Sequence, residues 1–216
     1  MVGRRLIVVA ALRVAPVAAA ASDPPYSSSV TKIPPSVKRL ITGKSWHKGC
    51  PVRLRDLRLV HVRYHRFSGK VSDGRLIVHR DVANDVAATF GRLYENGYPI
   101  RRIRLVDNYG ANDYRSIEAD NTSALNCRYV DGTTRGSNHA YGRAIDLNPL
   151  ENPYVYADGT TSHPRSERYV DRSTRRHPAM ILAGDATVDA FAAAGWGWGG
   201  VFAGAKDYQH FSANGR

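Results

Sequence analysis

Two short segments carry most of the side chains able to do chemistry. One is Ser137-Asn138-His139-Ala140-Tyr141-Gly142-Arg143-Ala144-Ile145-Asp146; the other is Asp207-Tyr208-Gln209-His210. Together they supply two imidazoles and two carboxylates. Zn²⁺ takes nitrogen and oxygen ligands in a tetrahedron, and a catalytic zinc keeps three protein ligands and an open fourth place for water. His139, Asp146 and His210 make such a set. The step from His139 to Asp146 does not match one face of a helix, unlike the histidine pair of an H-E-x-x-H motif. It suits a loop feeding a strand, with Gly142 giving the chain freedom to turn between them. Asp146 stands among Ala144, Ile145 and Leu147, where a carboxylate is costly unless a metal or cation compensates it. Asp207 and His210 would face opposite sides of an ideal strand. A bend between them is therefore expected, with His210 on the metal and Asp207 beside its water. Taken singly, each residue also has a bland reading: a packed histidine, a hydrogen-bonded aspartate, or an Asp207 that merely orients His210.

The elements that must hold these residues are legible in outline. Leu57 and Leu59 alternate with polar residues over 56–64, which predicts a strand, and 75–79 a second. Val82, Val86, Phe90 and Leu93 recur at helical spacing across 81–96, with Gly97 as the stop. Ile103 and Leu105 predict a strand over 101–107, and 143–148 reads as a core strand leading to Asp146. The prolines and polar residues of 152–178 predict a long surface loop, in which His163 and His177 are expected to be solvated. Val188, Phe191 and Ala192 mark a short helix over 187–194, and the Trp196-Gly197-Trp198-Gly199-Gly200 run fits either a groove wall or core packing. Strands and helices do not alternate regularly, which favours an α+β fold with an antiparallel sheet.

The pattern Ser-x-His-x-x-Gly-x-Ala-x-Asp, followed near the C-terminus by an acid-x-x-His, resembles the zinc D-alanyl-D-alanine carboxypeptidases of the VanY type. Relatives of that family include L-alanyl-D-glutamate endopeptidases of phages. The likeness extends to Asp113-Tyr114-Arg115-Ser116, to 121–128, to Asn148-Pro149 and to the 195–200 run, and it spans residues 46–212. It implies an α+β fold of the hedgehog/D,D-peptidase type, a small antiparallel sheet carrying the zinc and flanked by helices. It also implies peptidoglycan stem peptides as substrate and one Zn²⁺ per chain on His139, Asp146 and His210. Carried over in the same way, Asp207 is the general base, Arg115 faces the substrate carbonyl, Ser137 hydrogen-bonds substrate and Arg128 is a second cation. Which bond is cut stays open between the carboxypeptidase and endopeptidase activities. A non-catalytic wall-binding module on the same scaffold is a further alternative, although a pure binder has no need of a base such as Asp207.

Composition sets the frame. The chain of 216 residues has 43% hydrophobic and 23% charged residues, which fits one globular domain and excludes a disordered chain, a collagen or a coiled coil. Lys and Arg number 31 against 19 Asp and Glu, a formal charge of +12, so anionic partners such as an acidic cell wall are favoured. No zinc-finger, homeodomain or RNA-binding motif supports a nucleic-acid partner. Residues 1–21 have the charged start, apolar middle and small-residue end of a secretory signal peptide. Beyond that stretch, no apolar run reaches the length of a membrane span. Residues 22–45, rich in Ser and Pro, read as a linker or surface strap, with the peptidase domain over 46–216. Cys50 and Cys127 are expected to pair in an oxidising compartment; two buried free thiols are the alternative. A secreted, monomeric protein at the bacterial cell wall or periplasm is the expectation.

Overall fold

The computed structural model describes residues 23–130 and 132–215, so the leader expected at 1–21 lies outside the described residues. Strand β2 (Leu57–His65) buries Leu57, Leu59, Val60, Val62 and Tyr64. It pairs antiparallel with β3 (Val71–His79) in a register from Leu57 opposite His79 to His65 opposite Val71. Its other edge takes β1 (Ser28–Lys32). Helix α2 (Ala83–Glu95) lays the periodic residues Val86, Phe90 and Leu93 onto this sheet, where each is about 1% exposed.

The stretch expected as a linker or strap is built into the fold. Val30 and Thr31 suit a pleated edge, and β1 completes the sheet. Pro35 opens a helix, α1 (Pro35–Ile41), a position where proline's missing N–H costs nothing. Val37 and Ile41 then join a second apolar cluster with Leu57, Ile77, Leu105 and Leu125. The ordered part therefore begins before Trp46. Tyr26 and Tyr94 fasten the segment further: Tyr26 Oη donates to Ala87 O at 2.6 Å and Tyr94 Oη to Pro24 O at 2.5 Å.

The second half is made of short pieces: α3 (Asp113–Glu118), β4 (Ala144–Asp146), β5 (Tyr154–Val155), α4 (Ala186–Ala192), β6 (Gly197–Trp198), β7 (Lys206–Asp207) and β8 (His210–Ser212). They form a three-stranded antiparallel sheet in the order β4-β8-β6 and a two-stranded ladder of β5 with β7. The architecture is α+β with small antiparallel sheets. Residues 101–107 make one bridge, Ile103 with Thr122, and then a 3-10 turn at Val106–Tyr109. The reason is local: the Asn121 side chain accepts from Arg104 N and donates to Arg104 O, both at 2.9 Å, so a side chain satisfies the backbone that a neighbouring strand would have paired. Trp196 and Trp198 lie in the main core with Phe191 and Phe211, which decides between the two readings of that run. Cys50 and Cys127 form a disulfide across 77 positions; closing a loop of that size is worth about 4–5 kcal/mol in the chain-entropy treatment. Among the described residues no helix is long and apolar enough to cross a membrane.

One buried acid pair makes the fold sensitive to pH. Glu151 and Asp120 are 5% and 4% exposed and hydrogen-bonded to one another. Arg101 and Arg102 act on Asp120 and Arg168 on Glu151. Burial, and then the neighbouring Asp120 charge, push the Glu151 carboxyl up to about 8, so the folded chain holds a proton that the unfolded chain has released. Stability from this group is complete below the ordinary glutamate range and is lost as pH rises towards about 8. Urea midpoints should accordingly fall between about pH 5 and about pH 8 in the wild type and change much less in Glu151→Gln. Equal pH slopes in the two proteins would refute the shared proton.

Candidate metal centre

His139, Asp146 and His210 meet in one buried cluster. His139 lies in a 3-10 turn, Asn138–Tyr141, whose N-cap is Ser137: the Ser137 hydroxyl accepts from His139 N at 3.3 Å. Gly142 ends the turn in the left-handed region at φ 66°, and a Cβ there would stand 2.8 Å from His79 N, so glycine is required twice over. The chain then enters β4, which delivers Asp146 directly opposite His210 of β8. The bend expected between Asp207 and His210 is present: β7 ends at Asp207 in one sheet and β8 begins at His210 in another. Gly199 makes room for it, since a Cβ there would stand 2.5 Å from Asp207 O, and Trp198 Nε1 braces the turn by donating to Tyr208 O at 2.8 Å.

The distances are those of a donor cluster. Asp146 Oδ2 lies 3.1 Å from His139 Nε2, Asp146 Oδ1 lies 3.1 Å from His210 Nδ1, and the two ring nitrogens are 3.3 Å apart. All three side chains are buried, between 3% and 7% exposed. His139 Nδ1 sits 2.6 Å from Ala124 O, a carbonyl that can only accept. That contact places the proton on Nδ1 and aims the Nε2 lone pair at Asp146 and His210. Burial alone would raise the Asp146 carboxyl, but the His139 and His210 imidazoles overcome it and hold the group well below the usual carboxylate range. Two imidazole nitrogens and a carboxylate, converging with their lone pairs inward, fit a divalent cation of the zinc kind. Asp207 stands on the rim of the cluster. Its Oδ1 is buried without a hydrogen-bond partner among the described residues. Burial pushes its carboxyl up to about 6, against the pull of His210.

These residues line a groove of about 1020 Å³. Ser137 and Arg128 line it as well. Arg128 is held by Asp113 Oδ2 at 2.8 Å, with its Nε buried and unpartnered among the described residues. Arg115 does not line it. Asp113, Tyr114 and Ile117 of α3 face the groove, and a helix turns about 100° per residue, which carries Arg115 away to solvent. Arg115, expected to face the substrate carbonyl, is thus not among the residues that line the groove, whereas Arg128 is. His163 is not solvated either. It is 7% exposed, 2.7 Å from Glu118 through Nδ1 and stacked on Tyr114 at 4.4 Å. The exposed Tyr114, Tyr141, Tyr154 and Tyr156 form an aromatic rim that was not expected from the sequence; the Tyr154-x-Tyr156 alternation was its one available sign.

Residues 131–213 match the family model described as D-alanyl-D-alanine carboxypeptidase. The span contains His139, Asp146, Asp207 and His210. The family resemblance seen in the sequence is thereby supported. No curated protein and no solved structure shows a significant match to the chain. The D-alanyl-D-alanine carboxypeptidase match supports a metallopeptidase connected with peptidoglycan. Arg128 and the α3 wall fall outside the matched residues.

If this cluster is the metal site, His139→Ala and His210→Ala should lose bound zinc after dialysis, while Arg115→Ala should retain about one ion per chain. Elemental analysis of the purified variants measures this, and full zinc retention by both histidine variants would sink the assignment.

Proposed function

We propose that the protein is a secreted, zinc-dependent D-alanyl-D-alanine carboxypeptidase acting on peptidoglycan stem peptides. The observation that carries this reading is the union, in one groove, of an inward-facing His139–Asp146–His210 donor set with the unpartnered carboxylate oxygen of Asp207. His139, Asp146 and His210 would hold a divalent ion, and such an ion would supply a water of lowered pKa and a polarised carbonyl. Asp207 accepts the proton of the attacking water on Oδ1 and passes it to the leaving amine. Arg128, anchored by Asp113, is placed to bind the terminal carboxylate of the peptide. The Ser137 hydroxyl lies on the same wall, but it already caps the His139 turn, so its first role is to hold that ligand in place. The disulfide fits an oxidising compartment, and the basic surface favours an anionic wall.

One observation keeps a second reading in play. A groove of about 1020 Å³ has room for residues on both sides of a scissile bond, which an L-alanyl-D-glutamate endopeptidase requires. Mass analysis of muropeptides incubated with the zinc-loaded protein separates the two. Loss of one terminal alanine supports the carboxypeptidase, and a cut after L-alanine supports the endopeptidase. No cleavage would favour a binding module. Asp207→Ala should keep its zinc and lose turnover by a factor of at least about 100; wild-type rates in that variant would remove Asp207 from the mechanism.

A further inference from the structure

A second cleft, of about 490 Å³, opens where the β2–β3 sheet meets the 101–108 segment, and it shares no lining residue with the metal groove. Arg66, Arg75, Arg102 and Arg104 surround it. Its one carboxylate, Asp73, is already engaged by Arg63 at 3.0 Å. Among the described residues none of the four arginines has an ion-pair partner within 4.0 Å. Arg102 Nε is buried with no hydrogen-bond partner there. Arg102 also feels Asp120, but that carboxyl is buried and paired with Glu151. Four like charges around one cavity repel each other, and Asp73 and Asp120 offset that repulsion only in part.

The cleft is also rigidly built. β3 passes so close beneath Ile103 that a Cβ on Gly74 would collide with the Ile103 side chain. Asn121 clamps Arg104 N and O at 2.9 Å, and Thr122 N donates to Arg102 O at 3.0 Å. The arginines thus project from a fixed floor. Arg66, Arg102 and Arg104 all act electrostatically on the Tyr64 phenol in the cleft lining.

We infer that this cleft binds phosphate groups of a flexible, non-aromatic polyanion of the polyol-phosphate type. Guanidinium groups match phosphate oxygens in fork geometry. A single-stranded nucleic acid would call for exposed aromatic platforms as well. The one aromatic residue lining the cleft, Tyr64, is 6% exposed. The site gives the chain a hold on an anionic matrix that is separate from its groove, and it stands whether or not the peptidase reading does.

The test is binding of poly(glycerol phosphate) to the full chain. Arg75→Glu/Arg104→Glu should weaken it by about tenfold or more, and the loss should shrink as salt rises. Arg39→Glu/Arg92→Glu makes the same change of net charge at exposed sites elsewhere and should weaken binding far less. Hydrolysis of a soluble muropeptide should be unchanged in the cleft variant, and its unfolding temperature should not fall. Should the Glu pair perturb folding, Arg75→Gln/Arg104→Gln answers the same question. Equal weakening by the two Glu pairs would reduce the effect to bulk charge and overturn the inference. So would a DNA oligonucleotide of the same phosphate number binding as tightly as the polyol phosphate.

Discussion

A carboxylate at Asp146, 6% exposed and enclosed by β4 and β8, is the constraint around which the C-terminal half is arranged. Removing such a charge from water costs several kcal/mol unless partners replace the solvent. The two imidazoles 3.1 Å away supply part of that replacement. Neutral imidazoles offer at most one proton each, and the Nδ1 proton of His139 is committed to Ala124 O. A divalent cation between the three would satisfy every inward lone pair at once, whereas the side chains alone leave them crowded against one another. The backbone of Asp146 is fixed to match: it exchanges hydrogen bonds with Ser123 at 3.0 and 3.1 Å on one side and pairs with His210 on the other.

The same economy explains how so small a sheet can carry both a core and a site. Successive residues on a strand face opposite ways. In β4 Ile145 is fully buried in the main apolar cluster while Asp146 turns to the groove. In β8 Phe211 stacks on Phe191 at 3.9 Å while His210 turns to the groove. Ile145 and Phe211 are cross-strand neighbours, as are Asp146 and His210. The apolar pair fixes the register, and the register brings Asp146 and His210 together. A slip of one residue would put both of these side chains into the core.

Much of this was legible, and the parts that were not share a physical cause. Helix α2 and strand β2 announce themselves because their periodicity is set by burial against one large surface. The pairing of His139, Asp146 and His210 could be anticipated from residue types, since a carboxylate among aliphatic residues needs a cation. Three features depended on contacts distant in sequence. Asn121 took over the backbone of the predicted 101–107 strand. Asn112 caps α3 by accepting from Arg115 N, and in that helix Arg115 is exposed while Arg128 lines the groove. Glu118 drew His163 out of solvent. In each case a polar side chain decided the outcome, and such partners leave no periodic trace. The Pro-rich stretch 22–45 misled for a different reason: proline opens helices and flanks edge strands as readily as it marks linkers.

The disulfide ties these levels together. It joins the loop after α1 to Cys127, beside Arg128 and one residue from Asn126. Cys127 N also donates to Ser45 O at 2.9 Å, and Ser45 is held in turn by Asp107 through its N and Oγ at 3.2 and 2.7 Å. Asn126 N reaches His139 O at 3.2 Å, so the backbone of a ligand turn is anchored to the same segment. The wall that carries Arg128 thus rests on the N-terminal half of the molecule, outside the residues that match the peptidase family. A groove whose inward-facing donors come from 139–210 and whose lining cation comes from 128 needs both halves in fixed relation. The sheet alone does not provide that relation, because β1–β3 and β4–β8–β6 are separate ladders. The main apolar cluster, which packs Val60, Val78 and Phe90 with Ile145 and Phe211, supplies it together with the covalent link, so the N-terminal half helps to hold the groove in shape although His139, Asp146 and His210 all lie outside it.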